Sequence, residues 1–278
     1  MRLYISIDME GMPGTFNWEQ EKTDRAKVRA CITHHVTTVL QSVLTHPKVS
    51  EILEICIADS HSAGDNLDYS ITALDKRISL ISGNPRPYYM MPDFDRGYDQ
   101  VWLLGYHSGT GALHGNMDHT YSNSRVHKIW INGKPMNETL VNSAYAGYMG
   151  VPVGLVTGDE TLRGELTVPM PWLEYVATKK AISKFAARNY SQTLVDELTQ
   201  KAVASSLTKA KADIPLYNFE APITLKIEFH STAMTDQACL MPYVKRLDGR
   251  TVEYIADDYA VIFEAIMALV TLAASTGM

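Results

Sequence analysis

The period of the apolar positions changes several times along the chain, and each change predicts an element. Residues 3–7, 52–58 and 101–105 are short apolar runs, the second rich in β-branched residues, and runs of this length bounded by polar or glycine positions read as buried strands. Between the first two, residues 18–44 place Val28, Cys31, Ile32, Val36, Val39, Leu40 and Val43 at helical spacing. Residues 126–131 alternate and run into Asn132-Gly133, a strong two-residue turn signal. Asn137 is an N-cap for a helix running to Gly147, and residues 151–157 form another strand. Residues 171–187 and 191–212 read as helices. Residues 222–229 put Ile223, Leu225, Ile227 and Phe229 on one face of a half-buried strand, 251–255 is a weaker strand, and 259–274 is an apolar-rich helix. Strands alternating with helices predict an α/β fold with a mostly parallel sheet flanked by helices. A change of rhythm at 211–222 sets residues 1–212 apart from a smaller α+β C-terminal portion, 213–278, packed on them or continuous with them in one domain. No repeat of solenoid period is visible.

Composition narrows the partners. The 278 residues carry a net charge of -6, which argues against nucleic acid, whose phosphates need a basic face. No apolar run approaches the ~20 residues of a bilayer span, so no membrane association is expected. The opening residues lack the h-region and cleavage site of a signal peptide. Cys31, Cys56 and Cys239 are odd in number and widely spaced, which fits a reducing cytoplasm and neither a disulfide frame nor a thiolate metal site.

The chemistry sits where the apolar runs end. Asp8 and Glu10 follow the first run, His61 the second, His107 the third, and Glu138 opens the helix after Asn137. In an open α/β sheet the carboxyl ends of the strands line one crevice, and carboxylates with imidazoles are a donor set for zinc and similar borderline metals. Each residue alone has a plainer reading. Asp8 and Glu10 also fit a solvated loop, Asp59-Ser60-His61-Ser62 an N-cap cluster, and an acid at Glu138 gains from the helix dipole with or without a metal. Asp59 is a candidate orienter of an imidazole. The loop after residue 105 is rich in glycine and carries His107, His114 and His119, with Asp118 beside the last. Dinucleotide and P-loop glycine patterns, G-x-S-x-G and H-E-x-x-H are absent, so a metal site must be assembled from strand ends.

Ser6-Ile7-Asp8-Met9-Glu10-Gly11, Asp59-Ser60-His61-Ser62, Leu104-Gly105-Tyr106-His107, Met117-Asp118-His119 and Asn137-Glu138-Thr139-Leu140-Val141-Asn142 occur in this order over most of the chain. Together they resemble the DppA-type D-aminopeptidase family of dinuclear zinc peptidases. The resemblance implies Asp8, Glu10, His61, His107 and Glu138 as metal ligands and His119 as the catalytic histidine. It also implies two zinc ions per subunit and a decameric ring; the cysteine-free O/N donor set itself admits manganese or cobalt as well. The implied reaction is removal of the N-terminal residue from short peptides containing D-amino acids, such as D-Ala-D-Ala, by metal-activated water. Asp118 departs from the family pattern, which carries Ser before the histidine, and His114 is an addition to the loop.

Five ligands can hold two metals if one carboxylate bridges them, and Asp8, central in its motif, is the candidate. His119 is described in the family as catalytic, even nucleophilic; a proton shuttle or oxyanion donor fits better where the metals already activate water. Two other enzyme readings stay open: an L-specific or broad aminopeptidase on the same metals, and a phosphoesterase, disfavoured because Arg125 and Lys128 are the nearest cations to the motifs. A non-catalytic metal-binding ring protein is the reading of another class.

Overall fold

The structure, a computed structural model, describes residues 1–276. β1 (Arg2–Ile7) pairs in parallel with β2 (Glu54–Asp59) on one side and β4 (Gln100–Tyr106) on the other. β3 (Ile78–Ile81) extends the sheet beyond β2; β7 (Val153–Asp159) and β8 (Glu174–Ser183) extend it beyond β4, all in parallel. β9 (Ala186–Asn189) closes that edge in the antiparallel sense. The order is β3-β2-β1-β4-β7-β8-β9, so the chain winds outward from β1 one way and from β4 the other. Such a reversal opens a crevice outside the carboxyl ends of the two central strands.

Both faces of this sheet are covered. Leu3, Ile5, Ile7, Trp102 and Leu104 pack with Val36 and Val39 of α2 (Arg25–Leu44) and Val203 of α5 (Gln192–Thr208). Tyr4, Val101 and Leu103 belong to the core on the other side, with Val141 and Ala144 of α3 (Glu138–Tyr148). Burial on two faces is why these strands read as continuous apolar runs rather than as alternation. α4 (Glu160–Leu166) packs against β7 and β8.

A second, wholly antiparallel sheet has the order β11-β12-β10-β5-β6. It draws β5 (Val126–Ile131) and β6 (Lys134–Met136) from before residue 212, and β10 (Ile223–Phe229), β11 (Lys245–Arg246) and β12 (Thr251–Ala256) from after it. α7 (Tyr259–Ala274) lies on β10 and β12 and touches α3, joining the two sheets through one core; α6 (Thr232–Ala238) packs on α7. None of the described helices is long and apolar enough to cross a membrane.

Two expectations need correction. Residues 171–187 are not a helix: they form β8 and the start of β9. Ala177, Lys179, Lys180 and Ala181 are good helix formers, but pairing with β7 overrides propensity. Residues 18–44 are not one helix either. Asp24, with φ -149° and ψ 51°, separates the short α1 (Glu19–Thr23) from α2.

Candidate metal centre

The crevice between β1 and β4 is drawn tight by two glycines. Gly11 N donates to the Gly105 carbonyl at 2.7 Å, and a Cβ on Gly11 would lie 1.8 Å from the Tyr106 oxygen. Gly105 has φ +75°, and a Cβ there would meet the Asp8 carbonyl at 2.4 Å. The close approach places Asp8, one residue past β1, beside His107, one residue past β4. His61 follows β2 by two residues. Glu138 enters from the second sheet as the first residue of α3, whose N-cap Asn137 accepts from Leu140 N at 2.8 Å. His119 comes from the loop joining β4 to β5.

All six predicted site residues meet; five are at least nine-tenths buried, and the side chain of His119 is 13% exposed. His61 Nδ1 lies 3.0 Å from Asp8 Oδ1 and 3.1 Å from Glu10 Oε2. His107 Nε2 lies 3.4 Å from Asp8 Oδ2 and 3.5 Å from Glu138 Oε1. Donor atoms of Asp8, Glu10 and His61 lie within 4.8 Å of one another, as do those of Asp8, His107 and Glu138, so two triads share Asp8. A third grouping, Glu10, His107 and His119, meets the same limit. Two ligands about 2.1 Å from one tetrahedral zinc stand about 3.4 Å apart, close to these separations. Asp8 Oδ2, Glu10 Oε2 and His107 Nε2 are buried without a hydrogen-bond partner. Buried polar atoms usually find partners, and three orphans that belong to the two donor triads fit bound cations.

The rings are oriented from behind. His107 Nδ1 is 2.9 Å from the Ser108 carbonyl and His119 Nδ1 is 3.0 Å from the Met117 carbonyl, so each ring donates outward and turns Nε2 to the site. The two rings stack with centroids 4.2 Å apart and planes 6° from parallel. His119 Nε2 is 3.5 Å from Glu138 Oε1 and 4.0 Å from Glu10 Oε1.

Three carboxylates in so little solvent compete for charge. Burial, then the Glu10 charge, pushes the Asp8 carboxyl up to about 7. Burial opposes ionisation of Glu10 and Glu138 too, but the neighbouring imidazoles, His61 for Glu10 and His107 for Glu138, hold both below the usual carboxylate range. Burial alone would lower His61 and His107; the carboxylates raise His61 well above its ordinary value and His107 to about 10. His119 goes the other way, lowered by burial and by the charge of His107. A cation held by Asp8, Glu10 and His61 would relieve the repulsion between the two carboxylates.

Other expectations fare differently. Asp59 does not touch the His61 ring: its carboxylate accepts from Asn66 N, Asn66 Nδ2 and Leu67 N, capping the turn after β2. Asp118 faces Lys184 Nζ (3.0 Å) and Gly111 N (2.8 Å), away from the His119 ring. His114 Nδ1 lies near the Ile182 carbonyl at 3.3 Å, on the surface. The nearest cations are not Arg125 and Lys128. Arg86 Nη2 bonds the carbonyls of Ser60 and Ser62, and buried Lys179 Nζ donates to the carbonyls of Glu10, Met12 and Thr15. Both donate to backbone oxygens rather than into the crevice, which leaves the phosphoesterase reading without its cations.

Three contacts lay beyond sequence reasoning. Trp18 Nε1 donates to Glu10 Oε1 at 2.7 Å, Tyr121 N donates to Glu138 Oε1 at 2.6 Å, and Glu21 Oε1 lies 3.0 Å from His61 Nε2. The spacing of Trp18 and Glu21, one helical turn, is the only signal the sequence offers for them.

A protein-family model described as D-aminopeptidase matches residues 1–268. A Bacillus subtilis (strain 168) protein named D-aminopeptidase is 30% identical over 281 residues, covering 99% of each chain. A solved structure described as "Zn-dependent D-aminopeptidase DppA from Bacillus subtilis, a self-compartmentalizing protease" superposes with a TM-score of 0.90 at 28% identity, covering 100% of both chains.

Proposed function

The chain belongs to the D-aminopeptidase family, and from that premise we propose that it is a dinuclear zinc aminopeptidase releasing the N-terminal residue of short D-amino-acid peptides such as D-Ala-D-Ala. The observation that carries the dinuclear reading is the pair of donor triads sharing Asp8. Glu10 and His61 would hold one metal and His107 and Glu138 the other, with Asp8 common to both triads. Bound there, two zinc ions supply Lewis acidity toward the scissile carbonyl and lower the pKa of water; manganese or cobalt is tolerated by the same thiolate-free donor set.

The chain's own groups do the rest. His119 donates its Nδ1 proton to the Met117 carbonyl and keeps Nε2 toward the crevice, with its pKa lowered by burial and His107. It therefore takes a proton at Nε2 and returns it to the leaving amine, the role of a shuttle rather than a nucleophile. Tyr89, Met90, Tyr121, Ser60 and Ser62 bound a cleft of about 230 Å³ around these residues. A cleft that small fits a short substrate end. The proposal extends to a decameric ring with the site facing its channel, supported by the neighbour's description as self-compartmentalizing and by exposed Leu53, Val168, Leu240 and Tyr243. A cytoplasmic location rests on the three unpaired cysteines.

The test is metal content together with release of D-Ala from D-Ala-D-Ala and L-Ala from L-Ala-L-Ala. The expected result is near two zinc per chain and D-selective release. Asp8→Ala is expected to lose both metals and roughly 10³-fold or more of kcat/KM, since the metals contribute several kcal/mol. L-selective release would keep the site and overturn the substrate. Bound zinc without turnover would favour a ring scaffold, and neither metal nor turnover would remove the proposal.

A further inference from the structure

The outer wall of the crevice is α1 and the turn before it. Trp18 and Glu21 sit one helical turn apart and face the same way: the Trp18 indole meets Glu10, and Glu21 Oε1 meets His61 Nε2 at 3.0 Å. His61 is thus held by both edges of its ring. Nδ1 faces inward to Asp8 and Glu10, and Nε2 faces outward to Glu21. A neutral imidazole has one proton for two nitrogens, and a metal takes the bare one. If Nδ1 is to be bare, the proton belongs on Nε2 and needs an acceptor. Asp59 is occupied with the Asn66–Leu67 turn, and Glu21 is the side chain that faces Nε2.

We propose that Glu21 is a positioning residue, which fixes His61 as the Nε2–H tautomer and so presents Nδ1 to the zinc; this rests on the metal reading above. A carboxylate on the far nitrogen of a ligating histidine also raises its basicity, and such partners govern metal affinity. Glu21 is placed for this by local structure rather than by chance of a flexible surface chain. Gln20 Oε1 accepts from Phe16 N (2.7 Å) and Asn17 N (3.1 Å), and Gln20 Nε2 donates to the Gly14 carbonyl at 3.2 Å, tying α1 back onto the loop that carries Glu10. Arg25 and Asp65 form an ion pair at 2.5 Å between the start of α2 and the turn after His61. The carboxylate of Glu21 is about a quarter exposed while His61 is a tenth exposed, so Glu21 lies on the solvent side of the His61 ring. Glu19, on the same helix, faces only Lys22 and solvent and serves as a control.

The experiment is zinc affinity by chelator competition in the full-length protein, with the thermal midpoint of the metal-free form read beside it. Glu21→Gln keeps an oxygen to accept from Nε2–H but loses the charge; Glu21→Leu loses both. Zinc affinity is expected to fall about 10-fold for Glu21→Gln and about 100-fold for Glu21→Leu. The metal-free midpoint and the affinity of Glu19→Gln should stay at the wild-type value. Cobalt substitution adds a spectroscopic reading, because loss of ordered His61 ligation changes the visible absorption of the bound ion. Wild-type affinity in Glu21→Gln and Glu21→Leu alike overturns the proposal. If Glu21→Leu fails to fold, Glu21→Gln decides alone. If the wild-type protein itself takes up no zinc, the metal reading falls and this inference with it; zinc uptake that is indifferent to Glu21 removes this inference only.

Discussion

The two sheets serve the crevice in different ways. The parallel sheet delivers Asp8, Glu10, His61 and His107 within a few residues of hydrogen-bonded strands buried on both faces. The antiparallel sheet delivers its two residues from its margins: His119 from the loop that leads into β5, and Glu138 from the helix that follows β6. Strand ends in a two-sided core fix position, because moving them means moving packed side chains. A loop can adjust as a proton is passed, and His119 sits midway along the loop that joins the two sheets, 12 residues past His107 at the end of β4. The division suggests that the parallel sheet sets where the metals go and that the second sheet's margin sets what happens beside them.

His119→Gln separates the two roles most sharply. The amide keeps the volume and a hydrogen bond but cannot carry the proton. Turnover of D-Ala-D-Ala is expected to fall about 10²–10⁴-fold with zinc content unchanged, in contrast to Asp8→Ala, which loses both. Zinc lost in step with turnover would move His119 into the ligand set, as its grouping with Glu10 and His107 permits, and the division of labour would collapse.

What the sequence made legible follows the same line. Asp8, His61 and His107 stand out because each ends an apolar run, and burial on both faces makes those runs continuous. Glu138 was readable through its N-cap, Asn137. The misreading of residues 171–187 has one physical cause: β8 gains its strand character from pairing with β7, a contact made across the fold and not announced by alternation, and its Ala and Lys residues mimic a helix. The buried Lys179 was invisible for the same reason, since a lysine in an apparent helix reads as solvent-facing. Trp18 and Glu21 were hidden because their partners are 8 and 40 residues away and no periodicity connects them.

Lys179 offers a test from the parallel-sheet side. Fully buried on β8, its Nζ donates to the carbonyls of Glu10, Met12 and Thr15 and to the Thr15 hydroxyl, and burial lowers its pKa to about 7 against the pull of Asp159 and Glu10. It holds the backbone of the loop that carries Glu10, from a strand that no ligand belongs to. Lys179→Met keeps the length and removes the donor. Each orphaned carbonyl costs about 1–3 kcal/mol, partly offset by no longer burying an ammonium, so a net loss of roughly 2–3 kcal/mol is expected. Denaturant unfolding of the metal-free protein should show a lower midpoint at constant slope. An unchanged midpoint would mean that the Glu10 loop holds its shape without the sheet, and that β8 plays no part in fixing the ligands.

The smallest expected effect tests the scaffold with the site left alone. His35, buried in α2, meets Thr157 Oγ1 of β7 at 3.1 Å, and the same hydroxyl accepts from Gly105 N at 2.9 Å, at the glycine that lets β1 and β4 approach. Burial, more than the neighbouring His34, lowers the His35 pKa from 6.5 to about 4. The unfolded chain therefore binds a proton that the native fold refuses between pH 6.5 and about 4. Stability from this group is fully present above 6.5 and drains away as pH falls through that window. Between pH 7 and pH 5 the loss is about 2 kcal/mol. His35→Gln keeps a partner for Thr157 and removes the titration, so the stability gap between wild type and variant, measured on metal-free protein, should shift by that amount toward the variant as pH drops. A gap that stays constant from pH 7 to pH 5 would show that His35 is protonated within the fold at little cost. The rigidity assigned to the parallel sheet beneath the metals would then lose its clearest support.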